Sequence, residues 1–485
     1  MNLVNIPGLR QGFDLRSFTE CERSLGEIST KPQTEERVGY SLVERKEVIQ
    51  LGDFLIGSCW KNTELYTTEH DAVFARAIMP YNHGLAWFEG RDGLAHQLSW
   101  VVGLARLQGI KQLALLSLPV DEGVGSMSVG FNHTRHFHTY DVYALGLLCA
   151  QNAGIVGKDL LALRIALLIH DLFTPACGDL MKFVNYERYD EDNLLSELLK
   201  HENYLQLCQS LGIRPEEPIR ICQEDTGILC AIRNFADTYA YTMRDLERFC
   251  PGSYNTRPQG WYIDPIDEEL FQRLCSLQDN KRFRANAWEY LRVNGNGDLI
   301  ITKPKALHDF LFIRACLFRI LYYNRQTRNI EYLLGIRLVK ILLEKGVLKH
   351  ELFHTFQGDT SIWLMVDNEI GYNPDSLHNG SLGNTHSFDS FEEASEFVRT
   401  NTDRNKCGLI YRWPSKTKTK VNTWKTIKNR KELPWGIAYP EQASEIERIM
   451  TFHGGYFVAI FHRRQMHEIK DNYWEELKRL EHTLL

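Results

Sequence analysis

The stretch "LLIHDLFTPACGD", residues 167–179, decides how this chain is read. An adjacent pair, His170-Asp171, ends a run that is otherwise almost wholly apolar. Ionisable groups are rarely buried without a partner, so the pair must hold something. The longer segment "KDLLALRIALLIHDL" is apolar nearly all round, which predicts a central buried helix. One turn at its end can aim both side chains at a single ion. Imidazole nitrogens and carboxylate oxygens suit a divalent cation such as Mn, Mg, Fe, Co or Zn. A His-Asp dipeptide is a weak signal by itself, because a lone buried histidine is more often a hydrogen-bonded core residue.

Outward from the pair, two more donors lie on other helical segments. His138 precedes it and Asp237 follows it, so four ligands would converge from several helices of one bundle. In "ADTYAYTMRD", Asp237, Tyr241 and Asp245 stand at i, i+4 and i+8 and share one helix face. Such a stripe suits metal binding at one end and ligand hydrogen bonding beyond it; the competing reading is a solvated face.

The surrounding pattern is helical. "GLAHQLSWVVGLARLQGIKQLALLSL" (93–118) has the spacing of an amphipathic helix, "DEGVGSMSVG" (121–130) reads as a loop, and helical segments then dominate to about 355. Beyond 356, Gly, Asn, Asp and Ser become frequent, and short β-prone pieces such as "CGLIYRWP" and "GGYFVAIFHRR" appear. The expected fold is mainly α, a helical bundle core at 95–355 with a smaller α+β region at 356–485; residues 1–94 carry no readable motif. The length of 485 residues suits more than one domain. A net charge of −6 speaks against general nucleic-acid coating. Eleven cysteines at irregular spacing, with no CxxC pair, fit reduced thiols. With no signal-like start and no apolar run near membrane-spanning length, the expectation is a cytoplasmic protein that does not engage a membrane.

Six colinear segments resemble the HD-domain phosphohydrolases, and most of all their deoxynucleoside triphosphate triphosphohydrolase branch. They are "ARLQGIKQL" (105–113), "RHFHTYDVYALG" with Arg135 three residues before His138, "LLIHDL", "KHENYLQL" with His201-Glu202, "DTYAYTMRD", and "FIRACLFRILYYNR" with Arg314, Tyr322 and Arg325. The resemblance implies that His138, His170, Asp171 and Asp237 hold the metal. By the same resemblance Arg135, Arg314 and Arg325 would contact phosphate oxygens, to which a guanidinium fork is suited. Tyr241 and Asp245 would position the sugar and Tyr322 would pack against sugar or base. His201 would donate a proton to the leaving oxygen. The implied reaction is metal-assisted hydrolysis to a deoxynucleoside and triphosphate, by an oligomer that a nucleotide regulates.

The chain departs from this family after the pair. The family loop resembles "HDxGHxPFxH", whereas here it reads "HDLFTPACGD", with Thr174 in place of the first histidine and Asp179 in place of the second. Threonine has no acid–base function at neutral pH, which leaves Asp179 as a base or a second-metal ligand. The acidic "NYERYDEDN" (185–193) reads as a solvated loop, with recruitment to a second ion as the minority view. His133 and His136 read as surface or outer residues. The basic stretch at 412–435, with Trp413, Trp424 and Trp435, reads as a solvated β-hairpin more than as a grip on a polynucleotide. Two alternatives remain open: an HD-domain nucleotidase or phosphodiesterase with another cleavage position, and a nucleotide sensor or partner-binding module without turnover.

Overall fold

The computed structural model describes residues 74–78, 85–89, 98, 101–113, 133–224, 226–249, 265–279, 287–323, 337–354, 358–371, 385–413, 424–451, 455–463, 469–478 and 483–484. Loop 121–130 and Arg325 lie outside the described residues, as does most of 1–94. The described chain is mainly α, as the sequence predicts.

Helix α1 (Arg135–Ala153) is started by Thr134, whose Oγ1 accepts a hydrogen bond from the Phe137 N–H at 3.3 Å, and it stops at Gly154. Helix α2 (Gly157–Ile169) is buried at every position from Leu160 to Ile169, so an apolar surface all round gives a helix at the centre of the bundle. Helix α3 (Leu180–Val184) follows the His170-Asp171 turn, and α4 (Glu202–Ser210) and α5 (Glu216–Gln223) complete the near side. Helix α6 (Ile228–Phe249) carries the Asp237 stripe and packs along α1 and α2. Helix α7 (Pro304–Leu317), with proline in its first turn, lies against α6. Beyond the bundle come α8 (Asp359–Ile370), α9 (Phe391–Asn401), α10 (Pro440–Ile449) and α11 (Asp471–Leu477).

The helix expected across 93–118 is not continuous. Gly103, at φ 73°, ends a short helical piece, and Leu104–Gly109 form a tight 3-10 turn instead. This places Ile110 and Lys111 in an extended link that meets the entry of α1.

Strands are few and short. Strands β1 (Phe74–Ile78) and β2 (Leu85–Glu89) form a hairpin, and β3 (Leu291–Val293) and β4 (Leu299–Ile301) pair antiparallel. Strands β5 (Thr385–Phe388), β6 (Lys406–Trp413), β9 (Gly455–His462) and β10 (Thr483–Leu484) make one sheet in the order β10-β6-β9-β5. Strands β7 (Lys425–Lys428) and β8 (Lys431–Pro434) extend the β3-β4 pair into the second, so the basic stretch does contain a hairpin. Two of its aromatics, Trp424 and Trp435, are buried in the main core and are not free to stack on bases.

Packing crosses position 356 in both directions. Trp424, Trp435, Ile446 and Ile449 join the core built by α1, α2, α6 and α7. Conversely, Ala176, Cys177, Leu180 and Tyr189 join a second core with Leu338, Ile362, Trp363 and Trp474. The loop after the His-Asp pair is therefore packed against the C-terminal region. No described helix is long and apolar enough to cross a membrane.

Candidate metal centre

Helices α1, α2 and α6 bring His138, His170, Asp171 and Asp237 together. His138, His170 and Asp171 are buried, and one donor atom from each lies within 4.8 Å of the others. His138 Nε2 lies 3.1 Å from Asp237 Oδ1 and 3.7 Å from Asp171 Oδ2. His170 Nε2 is also 3.7 Å from Asp171 Oδ2. The two imidazoles meet edge to face, with centroids 5.5 Å apart.

His170 is prepared as a ligand by its own helix. Its Nδ1 lies 2.9 Å from the carbonyl oxygen of Leu167, which can only accept, so the proton sits on Nδ1 and Nε2 is a bare donor. That Nε2 is buried and has no hydrogen-bond partner. A buried orphan of this kind normally costs stability, and a cation held by His138, His170 and Asp171 would satisfy it.

The charges point the same way. Burial, helped by the neighbouring His138 and Arg233 charges, holds the His170 imidazole below its ordinary range and hence neutral. Burial opposes charge on His138, but its hydrogen bond to Asp237 and the nearby Asp171 outweigh this and raise its pKa. Burial also opposes ionisation of Asp171, yet Arg135 and the two histidines hold it well below the usual carboxylate range. Asp237, beside His138, is held down to about 2 against the effect of burial. The site thus offers two anionic carboxylates and a neutral imidazole, the donor set a hard-to-borderline divalent ion takes.

Arg135 sits differently from the expectation that it reaches phosphate. It is buried, with Nη1 donating to Asp171 Oδ2 at 3.0 Å and Nη2 donating to Asp179 Oδ2 at 2.6 Å. Two carboxylates occupy its fork in this structure, so it orients Asp171, a candidate metal ligand. Asp179 is 59% exposed and also lies 3.4 Å from Lys182 Nζ. Desolvation opposes its ionisation, but Arg135 and Lys182 prevail and keep its carboxyl below the ordinary range.

The acidic segment 185–193 is not a solvated loop at its core. Lys182 lies 3.4 Å from buried Asp190 and 2.8 Å from half-buried Glu191. Burial, reinforced by Asp179 and Asp171, pushes Glu191 up to about 7, where a carboxyl exchanges protons at neutral pH. The sequence offers Glu191 only as one of several acidic residues in a loop read as solvated, since such a run gives no sign of which one turns inward.

The stripe on α6 runs from the metal centre into the protein. Asp237 is 29% exposed, whereas Asp245 is fully buried, which excludes a solvated face. Arg314 Nε donates to the Tyr241 hydroxyl at 3.1 Å, and the Tyr322 hydroxyl donates to Asp245. Tyr241 and Tyr322 meet edge to face, 6.5 Å between centroids, and Arg314 lies over the Phe318 ring. Four residues given to substrate by the resemblance thus form one cluster. His133, expected at the surface or in an outer layer, is buried with Nε2 3.0 Å from Asp245 Oδ1. His136 is partly buried and rests edge to face on Tyr140. Arg244, also unforeseen, grips Asp141 of α1 with two 2.9 Å hydrogen bonds and ties α6 to α1 one turn beyond His138.

His201 has only local contacts among those described. It precedes α4, lies near Glu197, and keeps a buried Nε2 without a partner; burial lowers its pKa. Thr174 is fully buried. Arg106 donates to the main-chain oxygens of Leu172 and Thr174 at 2.6 and 2.7 Å.

No model of a known protein family matches this sequence, and no curated protein matches it. Solved structures do share the fold. A hypothetical protein from Aquifex aeolicus superposes with a TM-score of 0.52 at 15% identity, over 86% of this chain and 100% of that one. A phosphohydrolase from Bacteroides thetaiotaomicron superposes with a TM-score of 0.52 at 12% identity, over 83% of this chain and 100% of that one.

Proposed function

We propose that this chain is a metal-dependent phosphohydrolase of nucleotides. The observation that carries the reading is the buried, partnerless Nε2 of His170, held bare by the bond at Nδ1 and facing His138 and Asp171. The fold shared with a phosphohydrolase and the six segments resembling HD-domain enzymes support the same chemistry.

His138, His170, Asp171 and Asp237 hold the ion in this reading. A bound divalent ion supplies Lewis-acid polarisation of a phosphoryl oxygen and acidifies water. The remaining steps belong to side chains. Arg135 fixes the orientation of Asp171. Arg314 offers guanidinium hydrogens to phosphate, while Tyr241, Asp245 and Tyr322 hold the sugar and flank the base. Arg325 is given phosphate contact on the resemblance alone. Asp179 is anionic and open to solvent, which suits proton acceptance, and His201 is kept as proton donor on the resemblance.

The finer reading is a deoxynucleoside triphosphate substrate, cleaved to deoxynucleoside and triphosphate. A homo-oligomer with a regulatory nucleotide belongs to the same proposal and rests on the same resemblance. Incubation with Mn, Mg, Co or Zn and a panel of ribo- and deoxynucleotides, with products resolved by chromatography, tests it. Triphosphate release is the expected result. Monophosphate with pyrophosphate would overturn the cleavage position, and absence of turnover with any ion would overturn the enzyme reading.

A further inference from the structure

One carboxylate from outside the bundle grips both the link that meets the start of α1 and the loop that follows His170-Asp171, and we propose that Asp359 is a positioning residue for the metal centre. It is the first residue of α8 and is 3% exposed. Its Oδ2 accepts the Lys111 N–H at 2.9 Å, and its Oδ1 accepts the Cys177 N–H at 2.6 Å.

The Lys111 arm sets the start of α1. The neighbouring carbonyl of Ile110 accepts the Arg135 N–H at 2.8 Å, and the Gln112 N–H donates to the His133 carbonyl at 3.0 Å. These bonds fix the backbone three residues before His138. The Cys177 arm sets the loop after His170-Asp171. Cys177 has φ 68°, a left-handed conformation that a side chain adopts at a cost, and its buried N–H needs an acceptor. Two residues further, Asp179 holds Nη2 of Arg135, whose Nη1 holds Asp171. Both arms therefore converge on the same arginine and, through it, on a metal ligand.

Close backbone contact makes this reach possible. A Cβ on Gly358 would lie 2.3 Å from the Gly109 carbonyl oxygen, so only glycine lets α8 approach the 109–111 link. The Ala176 N–H donates to the Phe353 carbonyl at 2.7 Å and reinforces the second arm. The C-terminal region is thus a working part of the site through one side chain.

The functional consequence rests on the metal reading above, and the test separates the two. Full-length protein carrying Asp359→Asn or Asp359→Ala is compared with wild type by titration calorimetry with Mn²⁺ and Zn²⁺ alone, and by amide hydrogen exchange. Loss of an outer partner of a metal ligand weakens metal binding about 10- to 100-fold. Asp359 acts one step further out, through Arg135, so Asp359→Ala is expected to reach the low end of that range, about tenfold, and to accelerate exchange at Lys111 and Cys177, with β6 and β9 unchanged. Asp359→Asn, which keeps one acceptor oxygen, is expected to fall between, and it carries the test if the alanine variant does not fold. Wild-type metal affinity in the variants would overturn the proposal. If wild type binds neither ion, the metal reading falls and exchange alone decides: unchanged rates at Lys111 and Cys177 would overturn the clamp.

Discussion

The proton on His170 Nδ1 is fixed by the carbonyl three residues back, so the ring cannot turn away from the site without breaking that bond. His170→Ala together with Asp171→Ala removes two donors from one turn of backbone. The expected outcome is complete loss of bound divalent ion, read by elemental analysis of purified protein against one equivalent in wild type. Full retention would remove these residues from the ligand set. Arg314 gives a second prediction at this scale. Its Nε is tied to Tyr241, which leaves the rest of the fork for a ligand. Arg314→Ala is expected to raise the KM for a nucleotide at least about tenfold with a smaller effect on kcat, the pattern of a lost ground-state contact. At the scale of single residues the clustering of the candidate donors was legible, because their side-chain types and the Asp237–Tyr241–Asp245 spacing are properties of the sequence. The occupation of Arg135 was not. Its partners Asp171 and Asp179 come from a turn whose path is set by tertiary contacts, and a sequence gives no measure of whether a fork is free.

Gly146 of helix α1 faces Leu167 of helix α2. A Cβ there would meet the Leu167 side chain at 2.4 Å, and Leu167 is also the residue whose carbonyl orients His170. Gly146→Ala is therefore expected to destabilise the fold by about 1–3 kcal/mol, as overpacking does. Because Leu167 must shift, it is also expected to weaken metal uptake, and calorimetric melting with and without Mn²⁺ measures both. A second element-level prediction concerns the loop in which Thr174 stands where the resemblance places a histidine. Thr174 is fully buried, with its carbonyl held by Arg106. Thr174→His is expected to lose about 1–3 kcal/mol of stability and to gain no turnover, since the larger ring has no opening to occupy. Gain of activity in an assay of product release would contradict this. The buried helices were readable from their apolar periodicity. The break at Gly103 was not, because the same apolar spacing continues through it while the 3-10 turn is imposed by packing against 358–359.

Across the whole molecule, the C-terminal region lies against the loop that follows His170-Asp171, and this seam carries a prediction on pH. The division at 356 follows a real change in composition, yet composition records no contacts, and Phe353, His354 and Asp359 meet Ala176, Phe173 and Cys177 respectively. His354 is a titratable group on this seam. It stacks on Tyr189 with ring centroids 5.7 Å apart. Burial is the main cause that lowers its pKa to about 4, and the Arg106 and Arg188 charges add to it; the Phe173 backbone and Glu351 act in the opposite sense. An unfolded histidine titrates near 6.5, so between about pH 6.5 and 4 the unfolded chain binds more protons than the folded one. The contribution of His354 to stability is therefore fully present above pH 6.5 and is lost as pH falls toward 4, by at most about 3 kcal/mol. Asp359 slopes the other way, because burial raises its carboxyl to about 6 and the folded state then holds the extra proton. The comparison that isolates His354 is the difference in unfolding free energy between wild type and His354→Gln, measured in urea at pH 7.5 and pH 5. Wild type is expected to lose more stability than the variant over this interval, and parallel losses would remove His354 as the acid-sensitive group at the seam.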